Sequence, residues 1–142
     1  MSTQKRILLD PPIIGLWAAA VLLRLALIPY AGCVHSDSVT YLEIARRFVE
    51  HGVAPFHTIY PPLYPAIIGC LAYLGLSLES AARLGSALLG GTVILPVAWL
   101  GCRIYGIRVA RYAAAILVIH PVLVAYGTYA LTEATYTTLL AT

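Results

Sequence analysis

Long apolar runs alternate with short polar stretches along this chain. Residues 11–30, 63–78, 84–102 and 112–130 are almost free of charge, and residues 134–142 begin a further apolar run. A bilayer core of about 30 Å is crossed by about 20 helical residues, so 11–30, 84–102 and 112–130 are predicted to span. Residues 63–78 would reach about 24 Å, which makes them a short membrane-embedded or re-entrant helix. The run from 134 is read as the start of a truncated span, and the whole as the N-terminal portion of a longer protein.

The polar stretch at 31–62 reads differently. Within it, Asp37 to His51 carries Val39, Leu42, Ala45 and Val49 near one helical face. Glu43 with Arg47, and Arg46 with Glu50, stand four apart on the other. Ser36 is a fitting N-cap and Gly52 a fitting residue just past the end. Such a helix lies along an interface rather than crossing it. Residues 55–65 then form a proline-rich turn into the next helix. The expected fold is all-α: a polytopic membrane helix bundle with an amphipathic outer-interface helix in the first external loop.

Charge orients this bundle. Lys5 and Arg6 precede the first span and place residues 1–10 as a cytoplasmic tail, with 31–62 outside. A cleaved signal peptide would have a shorter apolar region without Arg24 in it. A lipoprotein cleavage site at Tyr30-Ala-Gly-Cys33 would normally carry leucine in place of Tyr30, so a retained anchor is expected. The densest basic segment, 103–111, becomes a cytoplasmic turn if 63–78 dips in and returns. If 63–78 crossed fully, that segment would face outside, against the positive-inside rule. In the first arrangement Glu133 emerges on the face that carries Asp37. Arg24, near the outer end of the first span, either snorkels to the interface or lines a polar cavity. Pro96 and His120-Pro121 are expected to kink their helices, with His120 packed against a freed carbonyl. Ser86 with Gly90, and Ala87 with Gly91, would let helices approach closely.

Composition sharpens the picture. The chain is 61% hydrophobic and 11% charged, with a mean hydropathy of +0.86. A soluble domain would carry about 25% charged residues, so a full water-facing surface is lacking. The net charge of +3 is scattered, which argues against nucleic acid as a partner. Cys33, Cys70 and Cys102 are far apart and show no metal-site spacing.

Candidate chemistry gathers in the polar loop. An aspartate at the start of a surface helix, Asp37, suits a general base acting on a polar acceptor at the lipid boundary. It also suits a plain helix start, because the dipole favours an acid there. A leaving lipid phosphate would need a cation, and Arg24, Arg46, Arg47 and Arg83 are available. Tyr41, one turn after Asp37, either lines the pocket or packs on Tyr60-Pro61.

Asp37-Ser-Val-Thr-Tyr41-Leu-Glu-Ile-Ala45, directly after the first span, resembles the first external loop of GT-C glycosyltransferases. The branch it resembles contains the protein O-mannosyltransferases and the lipid A aminoarabinose transferases (glycosyltransferase family 39-like). Tyr60-Pro-Pro-Leu-Tyr-Pro65 is similar to their proline-rich lead into the next helix. Arg83-Leu-Gly-Ser-Ala-Leu-Leu-Gly90 and Arg103-Ile-Tyr-Gly-Ile-Arg-Val-Ala110 resemble their arginine-led span and basic turn. Gly127-Thr-Tyr-Ala-Leu-Thr-Glu133 matches the place where they bring a second acid to the outer face.

The resemblance implies an inverting transfer of a hexosyl or pentosyl group from a polyprenyl-phosphate sugar to a protein or lipid acceptor hydroxyl. The enzyme would be a multi-pass protein, expected in the plasma membrane. By position Asp37 and Glu133 are its catalytic acids, and Tyr41, Arg24, Arg83, His57 and Tyr60 its substrate-binding residues. A divalent metal is possible; this chain has Ile59-Tyr60 where some relatives carry a charged residue, with His57 near enough to substitute. The rival readings are a polytopic transporter or lipid flippase, with Asp37 and Arg24 marking a substrate path, and an inactive truncated fragment.

Overall fold

A computed structural model describes residues 10–32, 36–52, 60–129 and 132–141, and among them all regular structure is helical. Helix α1, Pro11–Leu27, starts with two prolines whose missing N–H groups would have had no helical partner anyway. The Asp10 carbonyl accepts the first bonds, from Ile13 and Ile14. A single tighter turn, Ile28–Tyr30, ends the segment at Pro29.

Helix α2, Ser36–His51, closes on Gly52 with φ of 69° and an N–H bond to the Phe48 carbonyl. Glu43–Arg47 and Arg46–Glu50 are ion pairs at 3.2 Å on its exposed side. Its buried face is not quite the expected one. Ser38, Tyr41, Ile44 and Ala45 face inward, whereas Val39 is 58% exposed. The Tyr41 ring sets this rotation, because its large surface gains most from burial. The Ser36 side chain lies outside the described residues.

Helix α3, Leu63–Ala72, is about 15 Å long. Helix α4, Leu78–Thr92, is capped by Ser77, which accepts from the Ser80 N–H at 3.2 Å. Helix α5, Ile94–Tyr105, continues it after a break at Val93. Pro96 explains the break: it has no N–H for the Thr92 carbonyl. Gly106, at φ of 90°, then reverses the chain into helix α6, Ile107–Ile119. A side chain at that backbone angle would be strained. Helix α7, Pro121–Thr128, follows at a bend of 56° around His120, and helix α8, Glu133–Leu140, comes last.

Two of these expectations change. The helix expected over 112–130 begins at Ile107, and it bends at His120-Pro121 as expected, where Pro121 interrupts its hydrogen bonding. Among the described residues His120 bonds no freed carbonyl; its Nδ1 accepts from the Leu123 N–H at 3.5 Å, a long capping contact. Segments Pro11–Tyr30 and Leu78–Tyr105 are long and apolar enough to cross a membrane, and α6 with α7 makes a third if counted as one span.

Two polar clamps order the ends of the bundle. Arg111, near the start of α6, forms a two-point pair with Asp10 at 2.7 and 3.1 Å. The start of α1 and the turn at Gly106 therefore share one end. At the other, Arg83 of α4 reaches the carbonyls of Ile28 and Ala31 at 3.4 Å and of Gly32 at 3.3 Å. Between the clamps, Ile13, Ala20, Ile94, Ala98, Ala110 and Ala114 form one core. A Cβ on Gly91 would meet Val21 backbone atoms at 3.2 Å, so α1 and α4 pack with little between them. Leu22, Tyr112, Ile116 and Ile119 are left facing outward, an apolar exterior suited to lipid. A second core, beyond the Arg83 clamp, carries the candidate site.

Candidate functional site

That second core is built on tyrosine. Tyr41 of α2 is 6% exposed, and its ring meets Tyr60 and Tyr64 edge-on at 5.0 and 5.5 Å. Edge-to-face pairs of this kind add to what burial alone contributes. Tyr64 is anchored in turn: its hydroxyl reaches the Ala82 carbonyl at 3.1 Å and shares a hydrogen bond with the Ser86 hydroxyl at 2.7 Å. Ala45, Ile68, Ala81 and Ala82 fill in around the rings. The proline-rich lead into α3 thus supplies two of the three rings.

The Tyr41 hydroxyl meets Thr132 Oγ1 at 3.1 Å, tying α2 to the residue just before α8. Glu133 is the next residue, and Asp37 stands one turn before Tyr41 on α2. Burial pushes the Tyr41 phenol up from its usual range. The Thr132 hydrogen bond opposes this, and the negative charges of Glu133 and then Asp37 add to the rise. Glu133 also acts electrostatically on Tyr64. Both candidate acids therefore lie within electrostatic reach of one phenol, although they come from distant parts of the chain.

Little balances them. Asp37 is exposed, and neither acid forms an ion pair with a described residue. Ser38 Oγ, Glu133 Oε2 and Thr135 Oγ1 are buried with no hydrogen-bond partner among the described residues. Native interiors rarely leave such atoms unsatisfied; of the three, only the Glu133 carboxylate oxygen has no proton of its own to donate. Beside it opens a cavity of about 230 Å³, lined by Pro61, Leu63, Tyr64, Thr132, Thr135, Tyr136, Leu139 and Leu140. Its walls are almost wholly apolar.

The arginines are placed otherwise than expected. Arg83 is not held by Asp37 or Glu133; it pairs with Glu79 at 2.9 Å and clamps the end of α1. Arg46 and Arg47 are spent on Glu50 and Glu43 at the surface. Arg24 does not snorkel. It is fully buried, its Nη1 donates to the Ala20 carbonyl at 3.0 Å, and its Nε and Nη2 have no partner among the described residues. Gly127 makes this possible, since a Cβ there would lie 2.7 Å from Arg24 Cδ and Nε.

Among the expected residues, Asp37, Tyr41, Tyr60 and Glu133 come together, Arg24 and Arg83 serve other contacts, and His57 lies outside the described residues. No group of three His, Cys, Asp or Glu side chains that could hold a metal occurs among the described residues. Ser38, Tyr64, Thr132 and Thr135 were not evident as site residues. Ser38 and Tyr41, three apart, share a helical face, and Tyr64 lies in the proline motif; those were the available signals. No family model, no curated protein and no solved structure matches this chain.

Proposed function

We propose that this chain carries the outer-face site of a GT-C-like glycosyltransferase, a polytopic bundle in the plasma membrane with α2 along its outer interface. It transfers a sugar from a polyprenyl-phosphate donor to an acceptor hydroxyl. The observation that carries this reading is the convergence of Asp37 and Glu133 on Tyr41, across the end of the bundle opposite Asp10 and Arg111. In the proposed step, Asp37 takes the proton of the acceptor hydroxyl. The acceptor oxygen bonds to the anomeric carbon with inversion, and the bond from that carbon to the lipid phosphate oxygen breaks. The phosphate leaves with the electron pair, which calls for a cation. Arg24, whose Nε and Nη2 have no partner among the described residues, supports that role once it becomes accessible.

Asp37→Asn is the test. Reconstituted in liposomes with a polyprenyl-phosphate sugar, the variant should lose transfer by a factor on the order of 10² to 10⁴. Near-normal turnover would refute the assignment. A second reading, a transporter or lipid flippase, is favoured by one observation: Arg24 is a buried charge inside an apolar helix, a common mark of a substrate path. Lipid or solute translocation that Arg24→Gln abolishes, without any sugar transfer by the parent protein, would establish it instead.

A further inference from the structure

We infer that the turn between α5 and α6 is a docking surface for net-anionic phospholipid headgroups, held by Arg103 and Arg108 on either side of Gly106. The inference concerns what this end of the bundle meets in a bilayer, and it does not rest on the transferase reading.

Two independent features meet at this turn. The first is unmatched positive charge. Arg46 and Arg47 are exposed but paired with Glu50 and Glu43, and Arg111 is held by both carboxylate oxygens of Asp10. Arg103 and Arg108 are exposed as well, and neither forms an ion pair with a described residue. The Arg103 guanidinium lies over the Trp99 ring at 5.3 Å, a contact that steers the cation without cancelling its charge. The second feature is an apolar exterior that runs up to the turn. Leu100 and Ile104, four apart on α5, both face outward, as do Tyr112 and Ile116 on α6. Ile104 and Val109 each stand next to one of the two arginines and are exposed. Tyr105 and Tyr112, at 72% and 73% exposure, have the apolar body and polar tip that suit a lipid–water boundary.

Depth then selects the partner. The arginines stand where the lipid-facing exterior gives out, so the anions within their reach are those at the rim of the bilayer. Lipid phosphates lie there at high density, and a guanidinium matches a phosphate in both charge and geometry. A zwitterionic headgroup carries its own cation, which offsets much of the attraction, whereas a net-anionic one does not. Asp10 offers no competition, because Arg111 already engages both of its oxygens. A soluble acidic protein would have to cover Ile104, Tyr105, Val109 and Tyr112 in place of the bilayer, and two arginines are too few to track a nucleic acid. The Asp10–Arg111 pair thus fixes the turn, and the arginines beside it are left for the membrane.

Trp99, one turn before Arg103, supplies the reporter. In a Trp17→Phe background it is the sole tryptophan, and bromine on a lipid acyl chain quenches it on contact. The chain is reconstituted in liposomes in which brominated phosphatidylglycerol or brominated phosphatidylcholine replaces its plain counterpart, and quenching gives their relative binding. Phosphatidylglycerol should be preferred, by about fivefold for each arginine at low salt. Arg103→Gln and Arg108→Gln should each lower the preference by about that factor, and the double variant should bring it near one. Arg103→Lys should keep most of it, and about 0.5 M salt should remove most of it. Arg46→Gln with Arg47→Gln, at the other end, should leave it unchanged. Should loss of the Trp99 contact disturb the fold in Arg103→Gln, Arg108→Gln alone decides, since Arg108 makes no such contact. No preference in the parent chain, a preference that survives the double variant, or one that falls equally with Arg46 and Arg47 would each overturn the inference. A soluble polyglutamate peptide that abolishes the preference at low salt would assign the two arginines to an acidic protein instead.

Discussion

The two ends of the bundle treat charge in opposite ways. At one, Asp10 and Arg111 meet through two hydrogen bonds, and each carboxylate oxygen has a donor. At the other, Asp37 and Glu133 act on a single buried phenol, and among the described residues no cation pairs with either and three buried oxygens lack partners. A fully matched pair locks elements together and leaves nothing over for chemistry. Unmatched polar atoms cost stability, and a fold retains them where something else is to be bound. The contrast marks the Asp10 end as structural and the Asp37 end as the place to look for a ligand.

The comparison breaks outright if the two ends do not face opposite solutions. After replacement of the native cysteines by serine, Leu74→Cys and Arg108→Cys report on the exposed turns at either end. A membrane-impermeant maleimide should label Leu74→Cys on intact cells and Arg108→Cys only after permeabilisation. Labelling of both from outside would end the topology on which the proposed function stands.

Much of this architecture could be read from hydrophobic pattern and proline position alone. The apolar runs, the break before Pro96 and the bend at Pro121 follow from local rules that need no tertiary partner. The ion pairs of α2 follow from spacing in the same way. What escaped was whatever depends on a distant segment. Nothing near Arg83 in sequence says that its guanidinium will reach the carbonyls ending α1, and nothing near Arg24 says that Gly127 will leave room to bury it. Thr132 is a site residue only because Tyr41 comes back to meet it. The two acids were legible as candidates; that no described cation pairs with them was visible only in three dimensions.

Within the unmatched end, the tyrosine cluster should dominate stability. Tyr41→Ala removes a buried ring and its contacts to Tyr60 and Tyr64, which should cost about 3–5 kcal/mol. Tyr41→Phe keeps the ring and removes only the bond to Thr132, at about 0.5–1.5 kcal/mol. Denaturant titration of the purified protein in detergent measures both. Equal losses would mean that the ring contributes no more than its hydroxyl, and the packing account of this end would fail.

Arg24 gives a smaller effect of opposite sign. Its Nε and Nη2 carry an unmet desolvation cost, so Arg24→Met, of similar length, should raise stability by about 1–3 kcal/mol. Gly127→Ala places a methyl against the Arg24 side chain and should lower it by about 1–3 kcal/mol. Combined with Arg24→Met, the glycine substitution should lose most of its effect, because the flexible methionine can move aside. Additive effects would show that the two side chains do not interact. Unchanged stability in Arg24→Met would show that the guanidinium already has partners.

The smallest effect belongs to the matched end, and it depends on pH. The hydrogen bonds from Arg111 hold the Asp10 carboxyl below its usual value of 3.8, outweighing the opposing effect of burial. The folded state thus binds this proton less readily than the unfolded state does. The pair's contribution is complete above about pH 3.8 and is lost as pH falls through the lower folded value. Asp10→Asn removes the titrating group, so the variant should be slightly less stable than the parent at neutral pH. The two stability curves should then approach each other on acidification below pH 3.8. Arg111 is 44% exposed, so solvent screens the pair and the gap at neutral pH should be modest. A gap independent of pH would assign the loss to packing around the side chain rather than to the charge of the carboxylate. A gap that widens in acid would reverse the sign and show that the carboxyl is held above its ordinary range.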